Sequence, residues 1–599
     1  MSHLSIFLRI MQALVVSMSF FCHAIFVAAD EPLAKIEGDM PEALRELVLE
    51  VMGTVEEPAT SVAQARRRLK ASSKAVNSVM RSQGYYGAKI DPKILEGNED
   101  IASDEASSPQ TVLTVDTGPQ FKFGTLSIEL SNPLPLNERD ELEDRNLKTG
   151  DPALAANVVA AELRLVNYLN NHGYPEAKAL DREAIVDHTT EMMNVIFKLS
   201  VGQKTRFGRI EQSGTAYLAK SWPEMVAPFE PEDLFDSRKL NRLNARIIGT
   251  GVFDGSTAVL SEDVTPNADG TITRNVLLNV EQGAINTVSA ELGFSTTDGS
   301  GGTLTYERRN FIGYAQTLTL EAVAKTNQIG VGANYNIPFA LRVDREIDLG
   351  GEVAREDTDA FTGERANLNA FITQKFNRKF KLGLGIGFEA SQFEENGEEI
   401  TAFVIDGVGR ATFDNRNNIF DPEKGVFAEA TLTPSYNLGE EDGVFTTATL
   451  SGSTYKRVSE KVVLAGRAQI GSILTPDFST IPLNRRFYAG GGGSVRGFGF
   501  QSISPENAEG ELTGGRSITE LSGEVRYRGD SPFGFAAFVD AGSASRAEYP
   551  TFDDVRVGAG VGVRYHTSFA PLRADIAIPL NKRESDNAVQ VYISIGQSF

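Results

Sequence analysis

Among 599 residues there is a single cysteine, Cys22. The chain beyond it has no thiol, which excludes disulfide staples and thiol catalysis. Histidine is nearly as scarce, at five. Only His172, His188 and His566 lie beyond the first thirty positions, and none has metal-ligand spacing to another, so neither a metal site nor a cofactor is expected. After residue 29 no apolar run reaches the roughly 18 residues of a membrane-crossing helix. Basic residues are the minority, 58 against 80 acidic, for a formal charge of −22; a nucleic-acid binder carries the opposite footprint. There is no G-x-S-x-G elbow. The glycine run 490–493 lacks the Gly-Lys-Ser/Thr of a phosphate-binding loop. No enzyme is expected.

Near the start, Arg9 precedes a stretch from Ala13 to Ala29 that is almost all apolar or small, and Val27-Ala28-Ala29 fits a small-residue cleavage site. Residues 1–29 are therefore expected to be a secretory signal peptide. Phe20 and Phe21 before Cys22 argue against a lipoprotein anchor. Glycine (56) and phenylalanine (35) are abundant. An exported chain without a spanning helix and rich in glycine and aromatics is compatible with a transmembrane β-barrel.

Two regimes follow. Residues 30 to about 283 mix helical and strand patterns and repeat. Val115-Asp116-Thr117-Gly118-Pro119 aligns with Ser200-Val201-Gly202-Gln203, and Asn279-Val280-Glu281-Gln282-Gly283 closes a third unit. The glycines are 84 (202 − 118) and 81 (283 − 202) residues apart. Each unit carries a helical pattern ending at Gly84, Gly173 or Gly251, and each reads β-α-α-β-β. In the second, Asp151-Pro152 is expected to start the helix and Gly173 to cap it. The expected units are 30–118, 119–203 and 204–283, each large enough to fold alone.

From about 284 to 599 the pattern alternates with period two. Val288, Ala290, Leu292 and Phe294 share one face; so do Leu521, Gly523, Val525 and Tyr527, opposite Glu520, Ser522, Glu524 and Arg526. In a soluble sandwich the apolar face is core; in a barrel it meets lipid and the charged face lines a wet lumen. The strands run longer than is usual in soluble sheets, and about sixteen fit, with a long connection at 475–516. The expected architecture is α+β repeats followed by an all-β barrel of about 16 antiparallel strands. The last strand, 588–599, is expected to end on Phe599 and to pair with strand 286–296. Gly596, Gln597 and Ser598 suggest that this seam is short.

Two constellations stand out. The first is Gly490-Gly491-Gly492-Gly493-Ser494-Val495-Arg496-Gly497-Phe498, with Phe538-Val539-Asp540-Ala541-Gly542 further on. Parity puts Asp540 on the lumen face with Phe538 and Gly542, so a loop dipping inward would bring Arg496 to a carboxylate by charge-assisted hydrogen bonds. In a wet lumen, breaking such a pair costs about 1–3 kcal/mol. The second is the turn Asp414-Asn415-Arg416 to Asp421-Pro422-Glu423-Lys424-Gly425, where Asp414 and Arg416 can brace one another.

These motifs resemble the V-R-G-F/Y loop, the F-x-D-x-G strand and the D-x-R…P-x-x-G turn of the outer-membrane assembly barrels, the superfamily that includes the BamA, TamA and two-partner secretion transporter families. The repeats resemble its POTRA modules, and Phe599 resembles the terminal aromatic of barrel-targeting signals. Three modules are most similar to the TamA family. That resemblance implies a non-enzymatic outer-membrane factor with periplasmic POTRA modules, helping to insert or secrete autotransporter-type barrel clients. It further implies a periplasm-spanning AsmA-like partner of the TamB type, unfolded outer-membrane protein clients and contact with outer-membrane lipid. Two alternatives stay open: a pore exporting one dedicated exoprotein, and a general BamA-like insertase.

Overall fold

The computed structural model describes residues 31–55, 57, 59–95, 109–296, 299–395, 397–567, 570–584 and 586–599. The expected signal peptide lies outside them. No helix among the described residues is long and apolar enough to cross a membrane.

Residues 31–283 form three α/β units, each with its own apolar core. In the second, strand Lys122–Leu130 runs parallel to Met192–Ser200, with Glu183–Asp187 antiparallel on the other side. In the third, Thr205–Gly214 is parallel to Ile272–Gln282 and Phe253–Leu260 antiparallel. The helix of the second unit starts later than the Asp-Pro signal predicts, at Ala155. Asp151 and Ala153 are held extended against the first strand, through Phe123 N–H to Asp151 C=O (2.8 Å) and Ala153 N–H to Phe121 C=O (2.8 Å).

The helix-terminal glycines also make the joints. Phe121 N–H donates to Gly84 C=O (2.9 Å), and Thr205 N–H to Gly173 C=O (2.8 Å), so successive units are linked by the same backbone contact. The third unit meets the barrel through Asn310, which donates to Tyr217 C=O (2.7 Å) and Gln282 Oε1 (2.9 Å).

The rest closes into a barrel of sixteen antiparallel strands. They are β1 Asn286–Ser295, β2 Gly299–Arg309, β3 Thr317–Lys325, β4 Gln328–Pro338, β5 Arg345–Asp357, β6 Thr362–Lys375, β7 Phe380–Glu395, β8 Glu398–Asp414, β9 Lys424–Asn437, β10 Gly443–Ser459, β11 Val462–Leu474, β12 Ser517–Arg528, β13 Phe533–Ser545, β14 Arg556–Tyr565, β15 Leu572–Pro579 and β16 Gln590–Ile595. Period two decides the faces: Val288, Leu292, Val331, Val353, Leu368 and Val561 are exposed on the outer wall, while Glu524, Asp540 and Asp575 are buried inside.

The closing seam differs from its neighbours. Every other adjacent pair shares at least six residue pairs; β1 and β16 share two, Phe294 with Ile593 and Ser295 with Tyr592. The last strand stops at Ile595 instead of running to 599. Gly596 takes φ +88°, a left-handed turn that a side chain opposes, and the chain leaves the wall there.

Candidate functional site

Connection 475–516 folds back into the barrel rather than standing outside it. A 3-10 turn at Leu483–Arg485 begins the descent. Single bridges from Phe487 to Gly515 and from Ala489 to Ile503 narrow the loop, and Ala489, Val495, Phe498, Ile503 and Ile518 pack into a small apolar pad. Gly497 (φ +102°) comes so near the wall that a Cβ there would lie 3.0 Å from the backbone carbon of Ile578 on β15. The glycines thus let the backbone reach the wall.

Arg496 stands at the tip of this descent, 1% exposed, against Asp540 at 0%. Its Nε donates to Asp540 Oδ2 at 2.7 Å, its Nη2 to Oδ1 at 3.0 Å, and its backbone N–H to Oδ2 at 3.1 Å. Its Nη1 reaches Glu524 Oε2 at 2.9 Å and Asp575 Oδ2 at 3.3 Å. The guanidinium lies 3.3 Å from the centre of the Phe538 ring. One planar cation thereby ties the loop to β12, β13 and β15, a fork geometry that an ammonium lacks. Gly542 completes the pocket: a Cβ there would stand 2.6 Å from Val495 Cγ2. Tyr592 on β16 accepts the Gly497 N–H at 3.0 Å, linking the loop to the seam strand.

The pair is fully buried rather than open to the lumen, a difference from the sequence expectation. The reason is that the surrounding charges form a shell. Arg526 donates to Glu524 (2.7 Å), Arg564 pairs with Asp575 and stands 3.6 Å from Glu524, and Arg573 lies 3.8 Å from Asp575. Glu524 was legible as lumen-facing from alternation, whereas nothing local marked Asp575 as a partner of Arg496.

A second anchor was not legible at all. Arg485 donates to Glu389 on β7 (3.1 Å) and to Asp406 on β8 (3.0 Å), and Asn484 to Glu389 (2.9 Å). The loop is thus fastened to two separate stretches of wall, β7–β8 and β12–β15. A polar cavity of about 670 Å³, lined in part by Arg365, Glu389, Asp406 and Arg485, remains beside it.

The 414–425 turn is braced as its residues suggest. Arg416 donates from Nε and Nη2 to the two oxygens of Asp414 at 3.0 and 2.8 Å, and from its backbone N–H at 3.0 Å. Gly425 takes φ +114°. Pro422 lies between Asp421 and Glu423, whose contacts run to other strands. Phe599 does not close a strand. It lies inside the barrel, its ring 6.4 Å from Tyr455 on β10, with Arg526 5.4 Å above it. Among the described residues no cluster of His, Cys, Asp and Glu has the arrangement of a metal site.

Comparison with known proteins places this geometry among relatives. The model of the Omp85 superfamily domain matches residues 282–599, more than half of the chain. The chain is similar to the outer membrane protein assembly factor BamA of Nitratidesulfovibrio vulgaris, 23% identical over 560 residues, covering 89% of this chain and 68% of that protein. Among solved structures it resembles the crystal structure of BamA from Haemophilus ducreyi lacking POTRA domains 1–3, with a TM-score of 0.66 at 15% identity, covering 79% of this chain and 100% of that one. CdiB from Acinetobacter baumannii aligns with a TM-score of 0.48 at 15% identity, over 93% of this chain and 99% of that one.

Proposed function

The chain belongs to the Omp85 superfamily, and on that premise we propose that it is a TamA-type outer-membrane factor that assembles or secretes autotransporter-type barrel clients through its β1–β16 seam. It is an Omp85-family barrel of the bacterial outer membrane, with periplasmic POTRA-like units, acting in protein assembly or secretion. The proposal assigns residues 1–29 to a signal peptide, 30–118, 119–203 and 204–283 to three POTRA modules, and 284–599 to the barrel. It adds an AsmA-like partner of the TamB type on the periplasmic side.

The observation that carries the seam mechanism is the two-residue register between β1 and β16. Most of β1 faces this side without a strand partner, so its N–H and C=O groups are available to template an incoming strand. The edge strands of the periplasmic units can hold an extended client by the same pairing. The lumen, by contrast, is crossed by an anchored loop.

A cross-link tests this. In a chain carrying Cys22→Ser, Phe294→Cys with Ile593→Cys should form a disulfide across the seam. The locked barrel should stay heat-modifiable but stop assembling clients, and reductant should restore activity. Full client assembly with the seam locked would reject the lateral route and favour a pore exporting one dedicated protein. Copurification with an AsmA-like protein separates the TamA branch from a general insertase.

A further inference from the structure

Residues 596–599 do not simply fray from the seam; they are held elsewhere. Gln597 accepts from Arg564 Nε (3.1 Å) and donates its Nε2 to Asp421 Oδ1 (2.9 Å). Ser598 Oγ donates to Glu524 (3.1 Å), and Arg526 Nη2 to the Phe599 carbonyl (3.3 Å). Asp421 belongs to the turn between β8 and β9, half a barrel from β16 in strand order. That turn therefore crosses the mouth. Asp421 Oδ2 also lies 3.5 Å from Arg528 at the end of β12 and 3.5 Å from His566 after β14, while Glu423 pairs with Arg457 on β10. Each contact is at the end of the barrel that faces the periplasmic units.

The position that these residues leave empty can be read from the register. Phe294 faces Ile593, and 294 + 593 = 289 + 598, so continued pairing would set Ser598 opposite Ser289. Ser289 and Ser598 share the parity of the inward-facing positions. Residues 596–599 thus have two alternative places, along the free edge of β1 or inside the lumen.

We propose that Asp421 is a positioning residue of the seam: by holding Gln597 across the mouth, it keeps residues 596–599 in the lumen and leaves the periplasmic part of β1 unpaired. The 415–424 turn is then a clamp that sets the length of the seam. This rests on the lateral-seam reading for its purpose, but not for its test.

The test is a cross-link needing no client. In a chain carrying Cys22→Ser, Ser289→Cys and Ser598→Cys report the zipped position, in outer membranes under mild oxidant. With the clamp intact the disulfide yield should be low. Asp421→Ala should raise it about tenfold, the shift expected from losing one hydrogen bond to a charged group in a two-position equilibrium. Gln597→Ala should do the same from the other side, the two together should add little more, and the barrel should stay heat-modifiable throughout. High yield with the clamp intact, or no change in either variant, overturns the clamp. Should Asp421→Ala fail to fold, Gln597→Ala alone decides. Failure here leaves the Phe294/Ile593 lock untouched, so the clamp and the seam mechanism fail separately.

Discussion

Arg496 concentrates the argument at the scale of single residues. It is buried among three carboxylates, so removing it strands buried negative charge. Arg496→Ala should cost about 3–5 kcal/mol at the loop, the range for a buried pair broken from one side. Asp540→Asn should cost less, because Glu524 at 2.9 Å and Asp575 at 3.3 Å still hold the guanidinium. The double variant should fall short of the sum. Protease added to intact cells reads the result: loop 475–516 should be cut in Arg496→Ala, less so in Asp540→Asn, and hardly at all in the parent, with the barrel still heat-modifiable. Equal, fully additive effects would mean that the two residues do not act as a pair. Arg496 and Asp540 were legible because a glycine-flanked arginine and a lumen-parity aspartate are both local signals. Arg485 was not, because it sits on an irregular loop where parity says nothing. Asp575 shares the inward parity of Arg573, but nothing local marked it as a partner of Arg496.

At the scale of elements, β14 shows why strands here carry so many glycines. Gly558 faces the incoming loop, and a Cβ there would collide with the Arg496 carbonyl oxygen. Gly558→Ala leaves strand parity and every charge in place, yet it removes the room that the loop tip needs. The expected outcome is a folded barrel with the loop displaced and as open to external protease as in Arg496→Ala. A protected loop in this variant would show that the wall yields, and that the charges rather than the fit hold the loop. Alternation made the barrel and its inner face readable because one face meets lipid and every second residue must suit it. The ends of elements were less readable, since tertiary contacts set them. Backbone pairing with the first strand delays the helix at Ala155, and the lumen contacts of Gln597 and Ser598 hold the tail away from β16.

At the scale of the whole molecule, the barrel and the periplasmic units are stabilised by different means. The barrel is a ladder closed by long strand pairings everywhere except at the short β1–β16 seam. The third unit depends on a small apolar core, in which Trp222 is 0% exposed, its ring 5.6 Å from Phe253 and 6.4 Å from Phe339 of a barrel turn. Trp222 is the only tryptophan in the chain, so intrinsic fluorescence reports this unit and not the barrel. The joint between them is made of Asn310 to Tyr217 and Gln282, Ala219 N–H to Gly313 C=O at 2.9 Å, Ser221 to Tyr314, and the packing of Ala315 and Phe339 from two barrel turns onto the unit's core. Interfaces of that kind permit units to unfold separately. In urea the Trp222 signal should therefore pass through a cooperative transition with a slope of about 1–3 kcal/mol/M, the range for a small domain. The barrel should keep its folded mobility on unheated gels well beyond that midpoint. Two separated transitions mean that the third unit can rotate beside the seam without disturbing it. Coincident loss of both signals would mean that the unit and the barrel form one cooperative body, and that any movement of the modules is carried directly into β1.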